Sequence, residues 1–156
     1  MSEDNDFIYD IFIAHYMGEF SNKLVAVLNE KIEVGVAMNA LAHMIVGLGA
    51  SVEKKEELRL TDYADADGNS HANISEIPFM VLKSKNSNQL RQLRQAVIEN
   101  NLKFVDFTNT MTIGAYQEQI ERSKQTKEAD LEYYGIAIFG DWNSVSELTR
   151  KFSLWK

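Results

Sequence analysis

Apolar and polar positions along this chain switch between a helical and a two-residue period, and the switches mark its elements. Phe7, Ile8, Ile11, Phe12, Ile13, Tyr16, Met17 and Phe20 predict an amphipathic helix over 7–20, broken by Ser21-Asn22. The unbroken run Leu24-Val25-Ala26-Val27-Leu28 reads as a buried strand. Residues 35–48 form the most apolar helical stretch, small or apolar on both sides, which predicts a buried helix. Gly47 and Gly49 are expected to end it, the second as a left-handed cap. Leu58 to Tyr63 alternates like an edge or hairpin strand, and Asp65-Ala66-Asp67-Gly68-Asn69 is turn chemistry. A strand over 77–82 has the only proline, Pro78, near its start. Asn86 or Ser87 caps a helix to about Asn100, with Leu90, Leu93 and Val97 inward. A strand over 103–107 and a thinly apolar surface helix over 112–128 follow. The last buried strand spans 134–139, and Gly140 is expected to turn the chain after it. Asp141 or Ser144 then caps a final helix docked by Val145, Leu148 and Phe152, with Ser144 and Glu147 spaced as a capping box. Strands and helices in this order predict an α/β fold: a mixed β-sheet with helices on both faces. The expected organisation is one domain over 23–156 behind an extension, 1–22.

Charge narrows the function classes. The formal net charge is −7 and the sequence pI is about 5.0. Nucleic-acid binders draw affinity from phosphate contacts, so an acidic chain argues against RNA or DNA as a partner. Lys83, Lys85, Arg91, Arg94 and Lys103 lie close in sequence, and read as a solvated helix face. There is no cysteine, which excludes disulfides, thiolate nucleophiles and Cys-based zinc sites. The acidic start Met1-Ser2-Glu3-Asp4 lacks the basic region of a signal peptide, and Asp10, His15 and Glu19 interrupt the apolar run behind it. The expectation is a cytoplasmic protein with no membrane partner.

Candidate chemistry concentrates where the first strand enters the apolar helix. Asn39 and His43 stand four apart on one helical face, after Gly35. They lie near the carboxyl end of a central strand, where α/β folds often place sites. An Asn buried without a partner would cost roughly 1–3 kcal/mol, so a buried Asn39 implies a partner from backbone, water or ligand. Asp106, Thr108, Asn109 and Thr110 form a polar cluster at a second strand end. Asp106 orienting His43 would make a general base. The expected catalytic residues on this ground are Asp106 and His43, and the expected ligand-binding residues are Gly35, Asn39, His43 and Thr108. No histidine pair has metal-ligand spacing, and the Asp65–Asn69 loop fails the EF-hand pattern at both ends. No metal and no cofactor is expected.

The pattern from Leu24–Leu28 through Gly35 and Asn39-Ala40-Leu41-Ala42-His43 resembles an uncharacterised bacterial family, domain of unknown function two thousand. So do Tyr63 to Gly68, Val105-Asp106-Phe107-Thr108, Ile138-Phe139-Gly140 and the close from Leu148 to Trp155. The resemblance covers about 23–156. That family is similar in fold to the type II peptidyl-tRNA hydrolases, which implies a mixed sheet and often a dimer. His43 matches a histidine of those hydrolases, and Asp106 and Thr110 match the spacing of an aspartate and a threonine, so the resemblance implies Thr110 as a third catalytic residue beside Asp106 and His43. Their lysine position is Val36 here, their glutamine position is Ala40, and a further threonine falls at about Gly135. With the basic group absent, peptidyl-tRNA hydrolysis is not expected. The reading is a module binding a small polar ligand near Asn39, His43 and Asp106. Two alternatives stay open: a hydrolase using Asp106 and His43 on a non-tRNA ester or amide, and a dimeric interaction protein.

Overall fold

The computed structural model describes residues 20–156. The helix expected over 7–20 lies outside the described residues, apart from Phe20. Strand β1 (Asn22–Asn29) is the centre of the molecule, because its apolar run is covered on both faces. Leu24, Ala26 and Leu28 point to one side, Val25 and Val27 to the other. β4 (Phe79–Ser84) pairs with it in parallel, with Val25 opposite Met80. β6 (Tyr133–Asp141) pairs on its other edge, antiparallel, with Val25 opposite Ile138. β5 (Lys103–Thr108) and the two-residue β7 (Ser153–Leu154) complete a mixed sheet of order β5-β6-β1-β4-β7. The α/β class with helices on both faces is as expected.

Helix α1 (Val34–Ser51) covers the Leu24–Leu28 side. α2 (Ser87–Glu99) and α4 (Trp142–Thr149) cover the Val25–Val27 side. In α2 the side chain of Asn86 accepts from Gln89 N at 3.0 Å, and Leu90, Leu93 and Val97 are buried, as their spacing predicts. Asp141 starts α4 by accepting from Ser144 N at 2.9 Å, so Asp141 is the cap rather than Ser144. β6 runs on through Gly140 to Asp141, and no glycine turn separates it from α4.

α1 departs from expectation in two ways. It continues through Gly47 and Gly49 to Ser51, and neither glycine has a positive φ. It is also not a buried helix: only Ala37, Ala40, Met44 and Leu48 are buried, while Met38 is 64% and Val46 75% exposed. One apolar stripe meets the sheet and a second faces outward. By length and composition α1 is the one described helix able to cross a membrane, but its inner stripe is seated on the sheet as a core helix.

β2 (Leu60–Ala64) and β3 (Ser70–Ser75) form a separate hairpin between α1 and β4. Its turn is closed by Asp65, whose carboxylate accepts from Asp67 N, Asn69 N and Asn69 Nδ2. Gly68 supplies the positive φ of +84°. α3 (Tyr116–Gln125) is shorter than the expected 112–128 and buries no residue fully.

Candidate functional site

Three side chains decide what the expected site can do. His43 and Asn39 lie on the outward side of α1 and are exposed. The buried asparagine is another one, Asn29 at the end of β1, 1% exposed. Its Nδ2 donates to the Tyr133 carbonyl at 3.2 Å, and its Oδ1 accepts from Lys31 N at 3.1 Å. Asn29 thus pins the exit of β1 to β6, and its polar groups are satisfied inside the fold.

The expected pair of His43 with Asp106 does not form, and strand alternation is the reason. On β5, Val105 and Phe107 face α1, while Phe104 and Asp106 face α2. Asp106 Oδ2 accepts from Arg94 Nε of α2 at 2.6 Å, and the Arg94 guanidinium lies over the Phe104 ring at 5.5 Å. His43 sits on the opposite side of the sheet, its ring centroid 6.1 Å from that of Phe107. The sheet stands between Asp106 and His43. Arg94 therefore belongs to an ion pair and not to a free basic face, and so does Arg91, whose Nε donates to Glu128 at 2.9 Å.

Thr108 and Thr110 are brought together, but with each other. Their hydroxyls are 2.9 Å apart, and Ser123 Oγ of α3 lies 2.7 Å from Thr110 Oγ1. Both threonines are buried, at 8% and 3% exposure, so this hydroxyl chain ties the end of β5 to α3. Gly35 lies under its own neighbour: Glu33 Oε2 accepts from Val36 N at 3.1 Å and is 3.1 Å from where a Cβ on Gly35 would stand. The helix start already has an anion, and an acidic ligand would meet a like charge.

The sequence reading missed the ring row behind His43. A bulge sets Phe107 opposite Gly135 and Thr108 opposite Tyr133, which leaves Tyr134 as the extra residue. Tyr133 then packs on the α2 side and Tyr134 on the α1 side. The Phe107 and Tyr134 rings are 6.4 Å apart, giving a row His43–Phe107–Tyr134 beside α1. Burial, and then the Glu132 carboxylate, hold the Tyr134 phenol above its ordinary pKa, so it is a neutral hydroxyl at pH 7. Gly135 is a close approach. A Cβ there would stand 2.7 Å from Leu28 Cδ2, 2.8 Å from Met44 Cε and 3.3 Å from the Val27 carbonyl oxygen.

Among the described residues no three His, Asp or Glu side chains form a group able to hold a metal ion. One cavity of about 120 Å³ opens between α1 and the hairpin base, and one of about 330 Å³ opens beside Lys23 and α4.

This arrangement defines an α/β domain in which, among the described residues, His43 and Asp106 are held on opposite sides of the sheet. The sequence profile of the family described as protein of unknown function DUF2000 matches residues 22–156, and the chain belongs to that family. The structure is similar to that of a protein of unknown function from Agrobacterium tumefaciens strain C58. The TM-score is 0.75 at 20% identity, over 88% of this chain and 99% of that one, a likeness of fold. No curated protein matches the chain.

Proposed function

We propose that this protein acts by binding, and that the outward face of α1 is the surface by which two copies associate. The observation that carries this reading is that α1 has no Asp, Glu, Lys or Arg from Val34 to Ser51, although a quarter of the chain is charged. On that face Met38 and Val46 are largely exposed, and Gly35, Ala42 and Gly49 recur every seven residues. Small residues at that period let a second helix approach closely. A second copy is the occupant that charge favours, because two chains of net −7 repel least across an uncharged patch. A two-fold pairing of α1 with α1 is self-complementary. The helix is about 27 Å long, and its face alone falls short of the ~800 Å² per partner of a stable interface. The hairpin base adjoins α1 at Ile45 and Gly49, and its exposed Leu60 extends the patch.

The test is the mass in solution by light scattering, at about 10 and 100 μM because association is concentration-dependent. The wild type should run at twice the 17.8 kDa chain mass. Met38→Glu with Val46→Glu should give a monomer with unchanged circular dichroism. A monomeric wild type at the higher concentration, or a variant that still dimerises, refutes the reading.

A second reading rests on the His43–Phe107–Tyr134 row: a small planar ligand stacked there with Asn39 as its hydrogen-bonding partner. Chemical shift changes at Asn39 and His43 on adding aromatic amides would support it, and their absence would reject it. In both readings the protein is cytoplasmic and does not bind nucleic acid.

A further inference from the structure

Lys23 is a lysine where a solvent-facing residue would be expected, one position before the apolar run of β1. Alternation along β1 sends its side chain to the α2 and α4 side, into the packing between β4 and α4. The residue is only 7% exposed. Its Nζ donates to Ser146 Oγ at 3.0 Å and lies 5.0 Å from the centre of the Trp142 ring. No carboxylate pairs with it among the described residues, in a chain with 23 acidic side chains. A buried ammonium is ordinarily paired, because one hydrogen bond does not replace its hydration. Burial accordingly lowers the pKa of Lys23 below the ordinary lysine value.

The space in front of it has the complementary shape. A cavity of about 330 Å³ opens beside Lys23, within the range of small-molecule sites. Met80 and Leu82 of β4, Trp142 of α4 and Phe152 wall it with apolar groups. Arg150 stands at its rim, and Lys151 lies over the Phe152 ring at 5.3 Å. Arg150 is engaged with Glu147 at 3.1 Å, so among the cavity's lining residues Lys23 brings the uncompensated charge. Apolar walls, one unpaired ammonium and a basic rim select a ligand with an anionic head and an apolar body.

We infer that the cavity between β4 and α4 is a binding site for a small organic carboxylate, with its head on Lys23 and Ser146 and its apolar body against Met80, Leu82 and Phe152. The site lies at the opposite end of β1 from His43, on the other side of the sheet. It is independent of the α1 surface.

The probe is sodium octanoate, added to the full chain and followed by Trp142 indole and backbone amide shifts. Octanol and inorganic phosphate serve as comparisons for body without head and head without body. Saturable shifts centred on Lys23, Trp142 and Phe152 are expected with octanoate, with octanol and phosphate at least about tenfold weaker. Lys23→Met should weaken octanoate by about tenfold or more while leaving the circular dichroism unchanged. Met80→Glu, which supplies Lys23 with a carboxylate from the chain itself, should also abolish the response. The inference is overturned if octanoate gives no saturable shift, if octanol or phosphate binds as well, or if either variant binds octanoate like the wild type.

Discussion

Replacing Gly135 by alanine tests how closely α1 and β1 approach β6. The added methyl would stand 2.7 Å from Leu28 Cδ2 and 2.8 Å from Met44 Cε. Both contacts are ends of flexible side chains, which could swing away if they had room. They do not: Leu28 is 3% and Met44 0% exposed, and both sit in the core beneath α1. The Val27 carbonyl oxygen at 3.3 Å belongs to the backbone of the central strand and resists movement. Overpacking at such a site costs about 1–3 kcal/mol, which for a domain of this size lowers Tm by roughly 2–10 °C. The assay is urea unfolding followed by tryptophan fluorescence, with far-ultraviolet circular dichroism to check that the transition remains two-state. Leu28→Val removes the nearer obstacle and alone should cost about 1 kcal/mol. In the Gly135→Ala background it should cost less, with a coupling of at least about 0.5 kcal/mol. Gly135→Thr should be more damaging than Gly135→Ala. A Gly135→Ala protein as stable as the wild type, or strict additivity with Leu28→Val, would refute the close-approach argument.

Two further predictions follow from the sheet's two sides. Asp106→Asn should leave the nuclear magnetic resonance shifts of the His43 ring protons at a fixed pH unchanged, because the sheet separates the two side chains. The same substitution should lower stability by about 1 kcal/mol or less, since the Arg94–Asp106 pair is partly exposed. Displaced His43 ring shifts would show the two groups to be in contact. Lys23→Met should raise stability at neutral pH. The lysine's folded pKa is depressed, so its charged form is disfavoured in the native state, and that cost is fully present below the folded pKa. The cost fades as pH rises from the depressed pKa toward 10.5. The advantage of the variant should therefore shrink at alkaline pH, in melts at pH 7 and pH 10. A variant equally stable to the wild type at pH 7 would contradict the desolvation argument.

Local signals were the legible ones. α2 could be placed from Leu90, Leu93 and Val97 and its Asn86 cap, because every cue lies within one helix. The extent of α1 could not, since Gly47 and Gly49 keep ordinary helical backbone when the helix is held by Met44 and Leu48. Its half-exposure was equally hidden: an apolar face turned outward looks the same in sequence as one turned inward. The expected His43–Asp106 pair was hidden by a matter of parity. The sequence shows that Asp106 and Phe107 point to opposite sides of β5, but not which side receives α1. Lys23 was invisible for the converse reason. One lysine before an apolar run reads as the strand's solvated end, and only β4 and α4, remote in sequence, bury it. β7, with two residues, is too short to show a period at all.

The position of β1 in the sheet has a consequence for how the chain reaches this structure. β1 is the first strand among the described residues, yet its edges are satisfied by strands that arrive about 55 and about 110 residues later. During synthesis it leaves the ribosome as an extended apolar segment with neither neighbour available. α1 can shield one side of it early, whereas the other side waits for α2 and α4. Pairing over such separations makes folding slow relative to local structures of the same size, and exposes two strand edges in the interval. The molecule's most protected strand in the folded state is thus its most vulnerable one before β6 docks, and variants that delay β6 should be recovered in aggregates well before they lose equilibrium stability.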